Sequence, residues 1–349
     1  MAQHPTPLKF LFPGWYAVVM GLAGLSLAWH RAVLLMGEMA ELAATVLGGL
    51  AAAVFALLAV ATLLRAQRHP EAWQDDRRHA VRHAFIATLP LAVLLLATVA
   101  TVLVSDGLWV RLLWWCGSLS QLFVTVWVMA RWWRGNAGGA AGGSERGGLT
   151  WAAVTPALFL PIVGNMLAPL AGNALGAGDW AAAQFGIGLL FWPVVLVLIV
   201  TRIVTQGMLP ERLLPTLFVF IAPPAVAGLA LLSLGAPLAV GWGCWGMALF
   251  MLLWVGTQAQ RIIAAPFAIS HWAVSFPLAA FTALTLRLAT PGSLMAVLGP
   301  VLLAFTSLIV WGLLMATWRG LREGSLLAPE TVATINALGP SAEPAGRAG

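Results

Sequence analysis

Ten predominantly apolar runs, each of roughly 20 residues, follow one another along the chain. An α-helix of that length crosses the ~30 Å hydrocarbon core of a bilayer. The chain is 61% hydrophobic and only 9% charged, whereas a soluble domain of similar size needs far more charge to cover its surface. The sequence therefore predicts an all-α integral membrane protein with ten transmembrane helices.

We number these runs spans 1 to 10. Their predicted limits are 14–35, 39–64, 83–104, 108–132, 151–170, 180–204, 213–234, 238–257, 266–286 and 294–318. The predicted divisions are a cytoplasmic N-terminus, 1–13, a transmembrane channel domain, 14–318, and a cytoplasmic tail, 319–349, partly disordered. Residues 65–82 are expected to form a charged, solvated loop, and residues 135–148 a flexible glycine-rich one.

Basic residues are shared unequally between the two sets of alternating loops. If the N-terminus is cytoplasmic, 15 Lys and Arg residues fall on the inner side, and only Arg31, Arg111 and Arg287 fall outside. Loops rich in Lys and Arg stay on the cytoplasmic side of a membrane. We therefore expect a multi-pass protein of the cell (inner) membrane with both termini in the cytoplasm.

Prolines within the spans are concentrated in the odd-numbered ones. The sites are Pro90 in span 3; Pro156, Pro161 and Pro169 in span 5; Pro215, Pro223 and Pro224 in span 7; and Pro266 and Pro277 in span 9. Proline bends a helix and frees carbonyls, which neighbours or a cavity must satisfy. The pattern predicts five helical hairpins, with an inner ring of five odd helices around a pore and an outer ring of five even ones. The alternative is the generally higher proline content of membrane helices.

Span 9 places one large ring near the middle of the membrane. Phe276 precedes Pro277, where a kink is expected, and small side chains, including Ala273 and Ala280, lie at helical spacing from it. A ring on a stripe of small residues is the pattern of an occluding residue in a narrow pore. An ordinary packed phenylalanine has the same pattern.

Two further features could belong to a pathway. Span 1 has a face of small residues that includes Ala17, Gly21 and Gly24, which could form a smooth lining or simply allow close helix packing. Asn165 is the clearest amide within a span, and it could line a pathway or donate hydrogen bonds to neighbouring helices.

Acidic residues are absent from the interior of the spans. Coupled transporters usually keep a carboxylate in the membrane, and cation pores use acidic rings or carbonyl filters. The sequence thus favours a passive pathway, with the basic inner mouth attracting anions. Neither a catalytic motif nor a nucleic-acid-binding surface is visible, so we expect no enzyme, no cofactor and no nucleic-acid partner.

Histidine and cysteine give no metal site. His79 and His83 are four residues apart but adjoin arginines, so a solvated basic loop is favoured over a metal site. Cys116 and Cys244 lie in apolar runs and are expected to be buried free thiols.

Five motifs in order resemble the TehA family. They are FPGWYAVVMGLAG in span 1, VRHAFIATLP in span 3, FLPIVGN in span 5, LPERLLPTLFVFIAPP at span 7 and WAVSFPLA in span 9. That family takes in bacterial tellurite-resistance proteins, C4-dicarboxylate or malic-acid transport proteins and the slow anion channel of plant guard cells. The resemblance covers about residues 14–318.

The resemblance implies a homotrimer with one quasi-fivefold pore per subunit, passing small monovalent anions. It implies that Phe276 is the pore gate and that Gly21 is the pore-side glycine of span 1. Together with the residue patterns, it gives these candidates for the pore lining: Ala17, Gly21, Gly24, Phe85, Pro90, Phe159, Pro161, Asn165, Phe218, Pro223, Ala273, Pro277 and Ala280.

Two other functions remain open from the sequence. One is a carrier that exports a C4-dicarboxylate such as malate, sulfite or tellurite, and a link to tellurite resistance fits a channel as well. The other is a membrane enzyme or scaffold, which would need a polar cluster at the membrane interface.

Overall fold

The computed structural model describes residues 7–134 and 150–327. The predicted glycine-rich loop, 135–148, residues 1–6 of the predicted N-terminal segment and residues 328–349 of the predicted tail lie outside the described residues. Within them every regular element is a helix. Eight helical stretches are long and apolar enough to cross a membrane, and the apolar stretch Pro156–Gly172 is shorter. The helical membrane class is thereby confirmed.

The even-numbered spans are long α-helices. They are Glu38–Arg68, Leu108–Met129, Gly178–Gln206, Leu238–Gly256 and Leu294–Arg322. In their most apolar 18-residue windows only 17–39% of residues are buried. These helices therefore expose apolar side chains, as a helix facing lipid does.

Spans 1, 5, 7 and 9 begin with a 3₁₀ segment and continue as α-helix, whereas span 3 is two α-helices separated by a turn. Span 1 consists of the 3₁₀ helix Pro13–Tyr16 and the α-helix Ala17–Arg31; span 3 of Arg82–Phe85 and Thr88–Leu103; span 5 of the 3₁₀ helix Pro156–Phe159, then Leu160–Met166 and Pro169–Gly172; span 7 of the 3₁₀ helix Glu211–Ile221 and Ala222–Ser233; and span 9 of the 3₁₀ helix Ile269–Val274 and Ser275–Leu288. In spans 3, 7 and 9, 67%, 78% and 89% of the most apolar window is buried.

Proline accounts for where these α-helices begin. Pro90, Pro161, Pro223 and Pro277 each occupy the second or third position of the α-helix in their span. Proline is tolerated there because the amides of a first turn need no acceptor within the helix. The kink predicted within a continuous helix at Pro277 is therefore replaced by a change from 3₁₀ to α geometry before Ser275.

Contacts between spans follow a regular scheme. Each odd span packs against the even span that follows it, as in a helical hairpin. Span 1 also contacts spans 3 and 9, span 5 contacts spans 3 and 7, and span 7 contacts span 9. The remaining helices are short: Pro7–Phe10, Val33–Met36, Pro70–Arg78, Trp132–Arg134, Trp151–Ala153 and Ala259–Ala264.

The charged segment 65–82 is mostly exposed, as its composition predicts, but it is largely helical and contains a buried ion pair. It contains the helix Pro70–Arg78, from which Asp76 points inward and is fully buried. Oδ2 of Asp76 lies 2.7 Å from Nη1 of Arg65, which is only 3% exposed, and Oδ1 lies 3.5 Å from Nη1 of Arg82. A charge can be buried here because its partner is buried with it. His83 is buried too, and only His79 is exposed as predicted.

The two cysteines are both free, but only Cys244 is buried. Cys116 is exposed, since it lies on the outward face of span 4. An apolar run therefore identified the helix correctly without indicating which of its faces is buried.

Candidate functional site

A narrow cavity lies among the odd-numbered spans. The space that a water-sized sphere can occupy in it is about 30 Å³, which is room for on the order of two water molecules. Its lining comes from all five odd spans and consists of Ala17, Met20, Phe85, Thr88, Leu91, Ala157, Leu160, Val163, Thr216, Val219, Ala222, Trp272, Ala273, Phe276 and Pro277. No residue of an even-numbered span contributes to this lining.

The lining residues of spans 3, 5 and 7 are spaced by three. The sets are Phe85, Thr88 and Leu91; Ala157, Leu160 and Val163; and Thr216, Val219 and Ala222. Residues three apart eclipse one another in a 3₁₀ helix, which has three residues per turn, and they stay close to one face over a short α-helical stretch. In spans 5 and 7 the 3₁₀ segments contribute to this straight stripe of side chains, whereas span 3 has the same spacing across two α-helices separated by a turn.

The cavity lining carries no charged side chain and no uncommitted hydrogen-bond donor. Oγ1 of Thr88 lies 2.6 Å from the carbonyl oxygens of both Pro13 and Phe85. Oγ1 of Thr216 donates to a carbonyl in its own span at 2.5 Å, and Nε1 of Trp272 donates to Oγ1 of Thr317 at 2.9 Å. An ion in the cavity would therefore meet an apolar wall.

Span 9 contributes two large side chains to the lining, Trp272 and the somewhat smaller Phe276. Phe276 as a whole residue is 5% exposed. A β-carbon built on Gly24 would lie 3.0 Å from Cδ2 of Phe276. The ring therefore packs against the backbone of span 1 at Gly24. The small residue that makes room for the ring is thus a glycine of the predicted small face.

Gly21 has a different neighbour. A β-carbon on Gly21 would lie 2.2 Å from Oγ of Ser275 and 3.1 Å from Cε3 of Trp272. Its missing side chain allows spans 1 and 9 to pack closely, which is the alternative that the sequence left open for this face. Neither Gly21 nor Gly24 is itself among the lining residues.

The other sequence candidates divide into two groups. Ala17, Phe85, Ala273, Phe276 and Pro277 line the cavity, whereas seven others are not among its lining residues: Pro90, Phe159, Pro161, Asn165, Phe218, Pro223 and Ala280. Phe159, for example, is fully buried against Phe220, with ring centroids 5.4 Å apart. A side chain beside a proline is thus not automatically turned toward the cavity.

Asn165 belongs to a buried polar network between spans 4, 5 and 6. Its Nδ2 donates to Oγ1 of Thr125 at 2.8 Å and to the carbonyl of Pro161 at 2.7 Å, and its Oδ1 accepts from Nε2 of Gln184 at 3.0 Å. Nε2 of Gln121 donates to the same Pro161 carbonyl at 2.9 Å. The amide therefore makes hydrogen bonds across helices and is not part of the cavity lining.

Ten lining residues were not among the sequence candidates. They are Met20, Thr88, Leu91, Ala157, Leu160, Val163, Thr216, Val219, Ala222 and Trp272. The signal that could have found most of them is the spacing of three around each span's proline. An α-helical face, with its period of 3.6 residues, does not reveal this spacing.

The N-terminal ends of the odd spans connect the cavity to the buried ion pair. The rings of Phe12 and Phe85 meet edge to face with centroids 5.8 Å apart, and Phe85 lines the cavity. The guanidinium of Arg82 lies 5.9 Å from the ring centroid of Phe12, and Arg82 also approaches Asp76. Phe12 therefore links the cavity lining at Phe85 to Arg82 of the buried ion pair.

Residues 11–318 match the SLAC1 family, described as voltage-dependent anion channel. The S-type anion channels SLAH3 and SLAH2 of Arabidopsis thaliana are both 28% identical, over 165 and 218 residues. These matches cover 46% and 62% of this chain but only 26% and 40% of the two plant proteins. The tellurite resistance protein TehA homolog of Haemophilus influenzae is 26% identical over 284 residues, 79% of each chain.

Proposed function

This chain belongs to the SLAC1 family of voltage-dependent anion channels, and we propose that it passes small monovalent anions across a membrane. In this proposal the cavity is the conduction pathway, the five odd-numbered spans form an inner ring around it, and the even-numbered spans form an outer ring. Phe276 is its gate. The chain spans less than half the length of the plant channels it matches, so their activity supports the proposal only for the shared part.

One observation carries the pathway: side chains from all five odd spans, and from no even span, line a single cavity. The contacts among the odd-numbered spans also favour a ring of five helices, because each odd span contacts two others. The burial of the odd spans and the exposure of the even ones agree with lipid around the outside.

The small volume of the cavity is consistent with a closed state of the proposed gate. Room for about two water molecules is too little for an anion with its hydration shell. Phe276 is a lining ring held against Gly24, and no hydrogen bond fixes it, whereas the larger Trp272 is tied by its hydrogen bond to Thr317. Turning or removing Phe276 is therefore the simplest way to widen the passage. The trigger for such a movement would act through spans 1 and 9, which hold the ring.

The apolar wall favours monovalent over divalent ions. An ion that enters must lose hydration, and the lining offers it no charge and no free donor in exchange. The penalty rises steeply with charge, so chloride or nitrate should pass more easily than sulfate. Basic residues at the N-terminal ends of the odd spans would raise the local anion concentration.

The experiment is a reversal-potential measurement on the purified protein in planar bilayers. With unequal chloride or nitrate on the two sides, the potential should follow the anion gradient. Replacing potassium by a large organic cation should not change it. A potential that follows the cation gradient would contradict the proposal.

A carrier that exports tellurite, malate or sulfite is the second candidate. The name of the Haemophilus relative, which matches 79% of both chains, is the observation that favours it. A carrier should give slow flux that saturates with substrate, whereas a channel gives conductance. Flux of labelled malate and tellurite into liposomes, compared with chloride current at equal protein density, separates the two.

Assembly and placement are also proposals. We infer a homotrimer with one pathway per subunit in the cell membrane, with both termini cytoplasmic, 14–318 as the channel domain, and 1–13 and 319–349 as flanking segments. The 15 to 3 division of basic residues supports the orientation. Light scattering in detergent tests the subunit number, and labelling of single introduced cysteines in sealed vesicles tests the orientation.

A further inference from the structure

Spans 1 and 9 pack against each other as parallel helices. A β-carbon built on Gly21 would lie 2.8 Å from Cβ of Ser275, and one built on Gly24 would lie 3.3 Å from Cβ of Ala279. Residue numbers thus rise together along the two helices. Because the helices are parallel, their C-terminal ends lie on the same side of the protein, which is the outer side in the proposed orientation.

An arginine lies at each of these C-terminal ends. Arg31 is the last residue of the helix in span 1, and Arg287 is the last but one of the helix in span 9. Arg31 follows Gly24 by seven residues and Arg287 follows Ala279 by eight, so the packing register brings the two arginines to the same level. The positive charge of Arg287 acts on that of Arg31, as expected for neighbouring guanidinium groups.

Both arginines continue helix faces that line the cavity. Arg31 comes 11 residues after the lining residue Met20, and Arg287 comes 11 residues after Phe276. Eleven residues of α-helix make about three turns and a rise of about 16 Å, with a net rotation of only ~20°. Each arginine therefore lies beyond a lining residue along the axis of its span, on the outer side of the Phe276 ring.

Neither arginine has a counter-charge. Both residues are exposed, and within the part of the chain that the structure describes neither forms an ion pair with a carboxylate. The carboxylate of Glu41 acts on His30, the residue before Arg31, but it makes no ion pair with either arginine. The two positive charges are thus available to an ion that arrives from the outer solution.

We propose that Arg31 and Arg287 form an outer site that binds a small monovalent anion before it passes the Phe276 ring. The guanidinium groups supply the positive charge that the apolar cavity wall lacks, and they raise the anion concentration at the outer end of the pathway. The location of the site on a conduction pathway rests on the proposed function, whereas its ability to bind an anion does not.

The alternative role for each arginine is to stabilise its own helix. A cation in the last turn interacts favourably with the carbonyl end of the helix dipole, and that role needs no bound anion. Arg111, the third basic residue on the predicted outer side, is the matched control. It is exposed too, but it lies in the even-numbered span 4, where its Nε donates to the carbonyl oxygen of Asp106 at 3.2 Å.

Modification of arginine by phenylglyoxal tests binding on the wild-type protein in detergent. Peptide mass spectrometry gives the modification rate at Arg31, Arg287 and Arg111, with and without chloride. Chloride at about 0.1 M should slow the reaction at Arg31 and Arg287 by roughly threefold relative to Arg111. Equal slowing at all three arginines would indicate only a general effect of salt and would overturn the site, as would no slowing at all.

Anion current in planar bilayers tests whether the site acts on conduction. In the Phe276→Ala background, Arg31→Gln and Arg287→Gln should each lower anion entry from the outer side by roughly threefold at about 0.01 M salt. The difference should disappear at about 1 M salt, where the Debye length is only about 3 Å. Arg111→Gln should have no such effect. No reduction, or an equal reduction at both salt concentrations, would overturn the assignment.

The two readouts separate this site from the proposed function. Protection from phenylglyoxal without any anion current would leave the anion site standing and remove the channel, whereas current without protection would do the reverse. Arg31→Lys and Arg287→Lys keep the charge and should restore most of the current that the glutamine variants lose. Thermal unfolding of each variant, measured in parallel, confirms that the compared proteins are folded.

Discussion

The ring of Phe276 in span 9 packs directly on the backbone of span 1 at Gly24. A β-carbon on Gly24 would lie 3.0 Å from Cδ2 of Phe276 and 3.3 Å from the β-carbon of Ala279. Even a methyl group there requires the ring to move by a few tenths of an ångström. The position of this ring in the cavity is therefore set by two spans at once.

Gly24→Ala should change anion conductance while leaving the fold intact, because the crowded group is a side chain that can turn. In a Phe276→Ala background the same substitution should have little effect on conductance, since the ring is gone. Single-channel recording of the wild type, both single variants and the double variant measures this coupling. An equal effect of Gly24→Ala in both backgrounds would show that crowding of the Phe276 ring is not the cause of the change in conductance.

Gly21→Ala should act on stability. Its β-carbon would lie 2.2 Å from Oγ and 2.8 Å from Cβ of Ser275, so spans 1 and 9 would have to separate. Overpacking of this kind costs about 1–3 kcal/mol. Ser275→Gly removes both crowded atoms, so the double variant should regain part of the lost thermal stability. A double variant no more stable than Gly21→Ala would contradict this explanation.

Asp76→Asn should destabilise the protein strongly. Arg65 is 3% exposed and pairs with Asp76 at 2.7 Å, so the neutral amide would leave a buried arginine without its counter-charge, at about 3–5 kcal/mol. The exposed neighbour provides the control, and Asp75→Asn should change stability by less than about 0.5 kcal/mol. Thermal unfolding in detergent compares the two variants, and equal midpoints would argue against a stabilising pair.

Thr88→Val and Thr216→Val should leave the order of anion permeabilities unchanged. Both hydroxyl groups lie within hydrogen-bonding distance of backbone carbonyls, so neither is expected to coordinate a passing ion. Reversal potentials in chloride, nitrate and sulfate give the permeability ratios. A changed order in either variant would mean that the hydroxyl turns toward the ion during conduction.

Much of the fold follows from the sequence, because long apolar runs and prolines have few alternative explanations. Spans 4 and 8 begin at the predicted residues, Leu108 and Leu238. The concentration of prolines in odd spans marks helices that are mostly buried, and four of these five spans change from 3₁₀ to α geometry. Their effect differs from the predicted kink, since proline in a first turn starts an α-helix and does not have to bend one.

The site was harder to predict, because the orientation of a side chain depends on helix type. A 3.6-residue period assigns Phe276 and Gly24 to facing surfaces, but it cannot identify the stripe Thr216, Val219 and Ala222, which follows a period of three. The buried pair of Arg65 and Asp76 was missed because charge in a short connection usually indicates solvent. Nothing in the local sequence shows that two charges will be buried together.

The most direct test of the central proposal is the anion current of wild type and Phe276→Ala, recorded in planar bilayers at equal protein density. We predict a rise of roughly tenfold or more, which corresponds to a barrier lowered by about 1.4 kcal/mol. Phe281→Ala is the control, because this ring, five residues further along span 9, stacks on Trp245 outside the cavity lining, and it should produce no such rise. An unchanged current in a Phe276→Ala protein of normal thermal stability would contradict the proposal that Phe276 is the gate.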